Sequence, residues 1–157
     1  MTTVPIAGYV REMLLRDLSA LERELERYPS ESSVWAVPPG VTNSAGTLAL
    51  HAAGNLLHYV GALLGKTGYV RDRDSEFSAR ELRRSELTER LHEAAGVVDG
   101  VLSGLSSERL EEPFPEPPEA LRGRSTAVVL VHLATHLSYH LGQVNYHRRI
   151  GSADGGR

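Results

Sequence analysis

Histidine is the residue type whose number and spacing in this chain could do chemistry. The 157 residues include seven histidines and no cysteine, so a bound metal ion would need nitrogen and oxygen ligands. Four of the histidines, His132, His136, His140 and His147, lie in the run VHLATHLSYHLGQVNYH. If this run is helical, His136 and His140 lie one turn apart, about 6 Å along the axis, and could bind one ion together.

A helical wheel places the imidazoles beside the apolar face of this run. At about 100° per residue and with His132 at 0°, His136 lies at roughly 40°, His140 at roughly 80° and Gln143 at roughly 20°. The apolar side chains centre at roughly 140° on the same wheel; they are Leu130, Leu133, Leu137, Leu141 and Val144. The imidazoles are therefore expected to flank the buried stripe instead of facing bulk water.

An earlier stretch offers a matching polar stripe on an otherwise apolar helix. His51, Asn55 and His58 lie within roughly 60° of one another on the wheel. Almost every other residue from 48 to 64 is apolar or small, apart from Tyr59. A helix that is apolar nearly all round is expected to be buried, and each polar group without a partner there costs about 1–3 kcal/mol. Facing imidazoles bridged by a metal ion would supply those partners.

These patterns predict a divalent metal site with His51, His136 and His140 as ligands. Three neutral imidazoles leave at least one coordination position open, as in catalytic centres, and zinc, nickel and iron all accept imidazole. Further residues are predicted to line the pocket or to support the ligands: Asn55, His58, Tyr59, His132 and Gln143. A di-iron site is disfavoured, because it needs two Glu-x-x-His motifs and the chain has one, Glu89-x-x-His92.

The alternative is a helical scaffold whose histidines only form hydrogen bonds. His92 has polar neighbours and is predicted to be solvated, and His147 lies near the end of its helix. The loop that contains Trp35 and the proline-rich segment 113–118 could rim the site or simply connect helices. Tyr139 is a further polar group that could reach the pocket.

Four amphipathic stretches are expected to position these residues as helices. They run over residues 5–28, from Asn43 or Ser44 to about Leu64, from a cap at Ser85 to about Leu102, and from Ser125 or Thr126 to about Arg149. The connections at residues 30–41, 71–84 and 104–124 are rich in proline, glycine or charge, and no segment has the period of a β-strand. The sequence predicts an all-α, four-helix up-down bundle, with one domain over residues 1–150 and a flexible tail at 151–157.

Composition narrows the class of protein. Hydrophobic residues make up 41% and charged residues 24%, with a formal net charge of −3. This balance is ordinary for a globular domain and gives no basic surface for nucleic acid or anionic membranes. No apolar run approaches the roughly 18 residues of a membrane span, and the N-terminus lacks the pattern of a secretory signal. We therefore expect a cytoplasmic protein that acts on a small molecule.

Three segments together resemble a known family. The run HLATHLSYHLGQ, the segment TNSAGTLALHAAGNLLHY and the tripeptide Glu76-Phe77-Ser78 are similar to the corresponding parts of DinB-like (YfiT-like) metalloproteins, in an uncharacterised branch. The resemblance implies a four-helix bundle, commonly a homodimer, with a metal site of three histidines. At the matched positions these are His51, His136 and His140.

The resemblance also suggests an activity. Some members are transferases or isomerases that use a low-molecular-weight thiol such as bacillithiol or mycothiol. The mycothiol branch can carry a glutamate where this chain has His136, so the chain does not carry that ligand set. The leading hypothesis is a divalent-metal-dependent enzyme that activates a thiol for transfer to an electrophile. The alternatives are a metal-dependent hydrolase and a non-enzymatic metal-binding or stress-related protein.

Overall fold

A computed structural model describes residues 5–153, and its architecture comes from four long helices. These are Ile6–Glu26 (α1), Ala45–Leu56 (α3), Arg84–Ser103 (α5) and Thr126–Ala153 (α7). Helix α3 continues without a break into a π-helical segment, Leu57–Leu64, so the predicted second helix reaches its expected end. The described residues form no β-strand, only an isolated bridge between Pro113 and Ser125. The predicted all-α four-helix bundle is confirmed.

Short helices lie inside the connections that the sequence indicated as irregular. They are Glu31–Trp35 (α2), Arg73–Ser78 (α4) and Ser107–Glu111 (α6), and a 3-10 turn follows at Glu119–Leu121. Five or six residues carry too little amphipathic pattern to stand out from the polar segments around them. The segment predicted as a charged linker, residues 71–84, therefore contains a helix.

The ends of the long helices follow local capping chemistry. Ser44 caps α3 as predicted, because its Oγ accepts a hydrogen bond from Thr47 N at 3.1 Å. Helix α5 begins at Arg84, one residue before the expected cap Ser85, because the Glu86 carboxylate accepts from the backbone N–H of Arg83 at 2.9 Å. Helix α7 continues to Ala153, and the rest of the predicted flexible tail, residues 154–157, lies outside the described residues.

Aliphatic side chains from all four long helices fill the core. Their largest fully buried members are leucines, each at most 2% exposed, and each stabilises the fold by about 1.5–3 kcal/mol. They are Leu14, Leu18, Leu21, Leu25, Leu56, Leu87, Leu91, Leu130, Leu133 and Leu137. Helices α1 and α3 both pack against α5 and α7, so α1 lies diagonally opposite α3.

Helices α3 and α5 run in the same direction, so the alternating up-down order predicted from the sequence is wrong for this pair, although the four-helix bundle itself is confirmed. Gly61 faces Val97 and Gly65 faces Val101, so the two helices advance together along the pair. The connection between them therefore has to return along the bundle before α5 can start. On its way it crosses α3, where α4 lies against the helix and the carboxylate of Glu76 touches Gly54.

Two other predicted features have structural roles. Trp35 packs on Gly46 at the start of α3 and donates from Nε1 to the Leu82 carbonyl at 2.9 Å, so it joins three segments at one end of the bundle. At the other end, Phe114 is buried in the proline-rich connection. Within residues 5–153, no helix has the length and apolar character needed to cross a membrane.

Candidate metal centre

Three imidazoles from two helices meet at one point of the bundle. Helix α3 contributes His51, and α7 contributes His136 and His140. One ring nitrogen from each lies within 4.8 Å of the other two. The Nε2 atom of His136 is central, since it lies 3.2 Å from Nε2 of His51 and 3.1 Å from Nε2 of His140. The structure therefore brings together the three residues that the sequence predicted as ligands.

The spacing of these nitrogens suits a tetrahedral ion. Zinc binds imidazole nitrogen at about 2.0–2.1 Å, which places neighbouring ligand atoms about 3.4 Å apart. The two measured distances from His136, 3.2 and 3.1 Å, are close to that separation. The three side chains could hold such an ion with small shifts of their rings.

Hydrogen bonds on the far side of two rings fix where their protons lie. Nδ1 of His140 lies 2.7 Å from the Oε1 atom of Gln143, and Nδ1 of His51 lies 3.2 Å from Oε2 of Glu76. Both oxygens accept, so both Nδ1 atoms carry the proton and both Nε2 atoms present a lone pair. Ligand imidazoles in metal proteins are commonly oriented in this way.

Arg71 also approaches His51 and completes the polar group around it. Its Nη2 lies 3.3 Å from Nδ1 of His51 but only 2.9 Å from Oε2 of Glu76, and its Nε lies 2.7 Å from Oε1. An arginine can only donate, so the shorter contacts to the carboxylate are its hydrogen bonds. Nδ1 of His51 cannot accept from Arg71 and donate to Glu76 at once, and its shorter contact, 3.2 Å to Glu76 against 3.3 Å to Arg71, assigns its proton to the bond with Glu76.

The electrostatics keep Glu76 ionised and favour the neutral forms of His136 and His140. Burial alone would raise the pKa of Glu76, but the hydrogen bonds from His51 and Arg71, and the Arg71 charge, hold it below its usual range. Burial, followed by the neighbouring His140 and His51, lowers the pKa of His136 to about 3. Burial also lowers the pKa of His140, and the hydrogen bond to Gln143 only partly opposes this. Neutral imidazoles are the form that binds metal.

Comparison with known proteins places the chain in a family. A family model described as the DinB superfamily matches residues 10–144. The chain belongs to the DinB superfamily. The resemblance seen in the sequence is therefore confirmed, and the family match spans both helices that supply the three imidazoles.

A solved structure has the same DinB-like fold. The crystal structure of a conserved protein from Enterococcus faecalis aligns with a TM-score of 0.77 over 96% of this chain and 99% of that one. The two sequences are 17% identical, so the likeness concerns the fold alone. The comparison with curated proteins gave no match.

The residues predicted to support the site fall into two groups in this DinB domain. Gln143 contacts His140 directly, and the ring of His132 lies 6.2 Å from that of His136. The contacts of His58 and Tyr59 lie elsewhere. His58 packs on Tyr59 at 4.8 Å, and Tyr59 lies 6.2 Å from Phe114. Their predicted place in the pocket stays a prediction.

Asn55 lies one turn beyond His51 on α3 and is buried. Its Oδ1 is the one buried side-chain nitrogen or oxygen atom in the described residues that has no hydrogen-bond partner. Leaving such an atom unpaired costs about 1–3 kcal/mol. A water molecule or a bound ligand would remove that cost, in keeping with its predicted role beside the site.

The sequence reasoning missed three contributors to the site. Glu76 and Arg71 hold His51, and the ring of Phe77 lies 5.1 Å from its imidazole. All three lie in the segment that was predicted as a charged linker. The sequence did contain a signal for this segment, because the tripeptide that begins at Glu76 was part of the family resemblance. No function was assigned to its residues.

Proposed function

We propose that this chain is a divalent-metal-dependent enzyme whose ion is held by His51, His136 and His140. The observation that carries the proposal is the convergence of three Nε2 atoms, two of which are left unprotonated by hydrogen bonds behind their rings. The lone pairs of His51 and His140 converge on Nε2 of His136, and a cation at that point would be attracted to all three nitrogens once His136 presents its own lone pair.

The number of ligands favours catalysis over a purely structural role. Structural zinc sites normally use four protein ligands, whereas three leave a position for substrate. His136 and His140 are only half-buried, so the cluster can be reached from one side. Non-enzymatic metal binding is the second candidate, since the same three imidazoles would serve it equally.

A thiol is the substrate that we propose for the open position. When bound, a divalent ion deprotonates a coordinating thiol and makes it a nucleophile at neutral pH. The chain has no cysteine, so the thiol would come from a low-molecular-weight compound. In a transferase this thiol would add to a small electrophile, and in an isomerase it would assist the rearrangement of one. Such thiols are found in the cytoplasm, and we propose that location for the chain.

The surroundings of the cluster favour a thiol over a hydrolytic water. Within the described residues, Glu76 is the carboxylate that contacts the cluster, through His51 alone, and it is already occupied by His51 and Arg71. It is therefore not free to take a proton from water as a general base. A coordinated thiol would release its proton to solvent at neutral pH without a base, whereas a coordinated water, with a pKa of about 7, would be only partly deprotonated there.

We further propose a homodimer built on the outer face of α7. Four apolar or aromatic side chains lie within roughly 40° of one another on that helix. They are Val128 (43% exposed), Tyr139 (66%), Tyr146 (70%) and Ile150 (46%). Exposed apolar and aromatic side chains gathered on one face of a helix are typical of an interface. Light scattering should give twice the chain mass, and Tyr146→Glu should give the single mass; a monomeric wild type at all concentrations would end this proposal.

The enzyme proposal is tested by reloading the metal-free protein with Zn²⁺ or Ni²⁺. We expect one ion per chain by elemental analysis. The loaded protein should also consume bacillithiol or mycothiol with 1-chloro-2,4-dinitrobenzene, and chelation should abolish this activity. His92→Ala is the matched control, because His92 is exposed on α5 and its Nε2 lies 2.9 Å from Oε2 of Glu22. Stoichiometric metal without thiol consumption would favour the non-enzymatic candidate, and no retained metal would reject both.

A further inference from the structure

The carboxylate of Glu76 occupies the space that a side chain at residue 54 would need. A Cβ atom built on Gly54 would lie 2.1 Å from Oε1 of Glu76 and 2.7 Å from its Cδ. These separations are far below any van der Waals contact, and both residues are buried. Helix α3 therefore has a gap in its side-chain surface, three residues after His51, and an acid from another segment fills it.

We propose that Glu76 is a positioning residue that fixes the ring of His51 for metal binding. Its Oε2 accepts from Nδ1 of His51 at 3.2 Å, which sets the tautomer and directs the unprotonated Nε2 at His136. Phe77, the next residue, packs on the same imidazole with its ring centre 5.1 Å away. Helix α4 thus determines both the proton position and the plane of a ring that belongs to α3.

Arg71 makes this arrangement possible in a buried place. An isolated carboxylate 6% exposed would be strongly disfavoured, and a cation paired with it in two hydrogen bonds offsets that cost. The contacts are 2.7 Å from Nε to Oε1 and 2.9 Å from Nη2 to Oε2. Because the pair is neutral as a whole, His51 receives an acceptor without a net negative charge beside the ion.

His140 has a similar but weaker support behind its ring. Gln143 accepts from Nδ1 of His140 at 2.7 Å, but it is exposed and comes from the same helix as its histidine. An amide oxygen is thus sufficient as an acceptor, while the buried ionic partner of His51 adds rigidity. Glu76→Gln should accordingly retain part of the function that Glu76→Ala loses.

The test measures Zn²⁺ affinity by competition with a chelator, and the tautomer of His51 by long-range proton–nitrogen NMR of the metal-free protein. Glu76→Ala should bind Zn²⁺ 10–100-fold more weakly than wild type, and Glu76→Gln about 10-fold more weakly. In Glu76→Ala, His51 should become a mixture of the two tautomers. Glu24→Gln is the matched control, because Glu24 is a buried acid paired with Arg148 at 2.6 Å on the far side of the domain; its Zn²⁺ affinity should be unchanged.

Gly54→Ala is the second variant, since alanine ordinarily stabilises a helix relative to glycine. Here it should weaken Zn²⁺ binding about as much as Glu76→Ala, because the added methyl group displaces the carboxylate. Combined with Glu76→Ala it should cost no further affinity, since the two changes act through one contact.

The proposal rests on the proposed metal site, but the two can fail separately. Wild type without stoichiometric Zn²⁺ would end the metal site, while the NMR of the metal-free protein would still report whether Glu76 sets the tautomer. Wild-type affinity in both Glu76→Ala and Gly54→Ala, or an unchanged His51 tautomer in both, would overturn the role of Glu76.

Discussion

Two buried histidines of this domain have opposite hydrogen-bonding environments. His51 is 7% exposed and His147 is 5% exposed, and each lies on a long helix with its Nδ1 in a hydrogen bond. Nε2 of His147 donates to the Ala36 carbonyl at 2.8 Å, and its Nδ1 lies 2.7 Å from the Tyr28 hydroxyl, which also reaches the Val144 carbonyl at 3.1 Å. Burial raises the pKa of Tyr28, which keeps that hydroxyl protonated. Both nitrogens of His147 are therefore paired with oxygen atoms of the protein.

His51 has only one nitrogen paired in that way. Its Nδ1 donates to Glu76, but its Nε2 faces Nε2 of His136, and no protein donor is fixed between them. The comparison shows that burial and helix position do not separate a candidate ligand from a histidine with a structural role. The surroundings of the second nitrogen separate the two residues. In His147 this nitrogen completes a hydrogen-bond network, whereas in His51 it faces the other imidazoles of the cluster.

The difference between the two histidines is tested most strongly by removing the central imidazole of the cluster, that of His136. His136→Ala should lower Zn²⁺ affinity by about 1000-fold, on the order of 4 kcal/mol, because two ligands are a poor site for zinc. The fold should persist, since His136 is not part of the aliphatic core. Competition titration measures the affinity, and circular dichroism checks the helices. A variant that binds as tightly as wild type would mean that His136 is not a ligand.

The reverse experiment removes the structural histidine. His147→Ala should reduce the free energy of unfolding by about 2–3 kcal/mol, because a buried imidazole is lost, the Ala36 carbonyl loses its donor and the Tyr28 hydroxyl keeps only the Val144 carbonyl. Its Zn²⁺ affinity should stay within twofold of wild type. Urea unfolding of the metal-free protein measures the stability loss. If metal binding fell as far as in His136→Ala, the distinction between the two histidines would be wrong.

The sequence was sufficient for the features that depend on one helix at a time. Leucines such as Leu14, Leu18 and Leu21 recur with the helical period, so α1 was predictable from its own residues. The histidines could be placed on buried faces by the same arithmetic. Because the core must lie between such faces, three imidazoles on two of them were expected to meet.

The part that could not be predicted depends on how the helices are connected. Amphipathic spacing shows which face of a helix is buried but not which way the chain runs. Glu76 reaches His51 only because α3 and α5 are parallel and their connection crosses back over α3 at Gly54. In the sequence, Glu76 is one acid in a charged stretch, and Gly54 looks like a weak point of a helix.

Metal addition provides a smaller and more general test of the comparison. At a free Zn²⁺ concentration about 100 times the dissociation constant, binding to the folded state should add about 2.7 kcal/mol of stability. His147→Ala should gain this full increment from its lower starting point, and His136→Ala should gain almost none. Thermal unfolding with and without a chelator measures both. Equal increments in the two variants would indicate that Zn²⁺ binds elsewhere.

The smallest expected effect is that of Gln143→Ala. This variant compares the hydrogen bond behind His140 with the one behind His51. Gln143→Ala removes the acceptor behind His140, but the site is exposed, so water can replace the amide oxygen. Zn²⁺ affinity should fall by about 3–10-fold, less than the 10–100-fold typical of a lost supporting partner. Competition titration against Glu76→Ala decides the ranking. A larger loss in Gln143→Ala than in Glu76→Ala would show that the half-buried His140 depends more on its partner than the buried His51 does, because water would then fail to replace the amide.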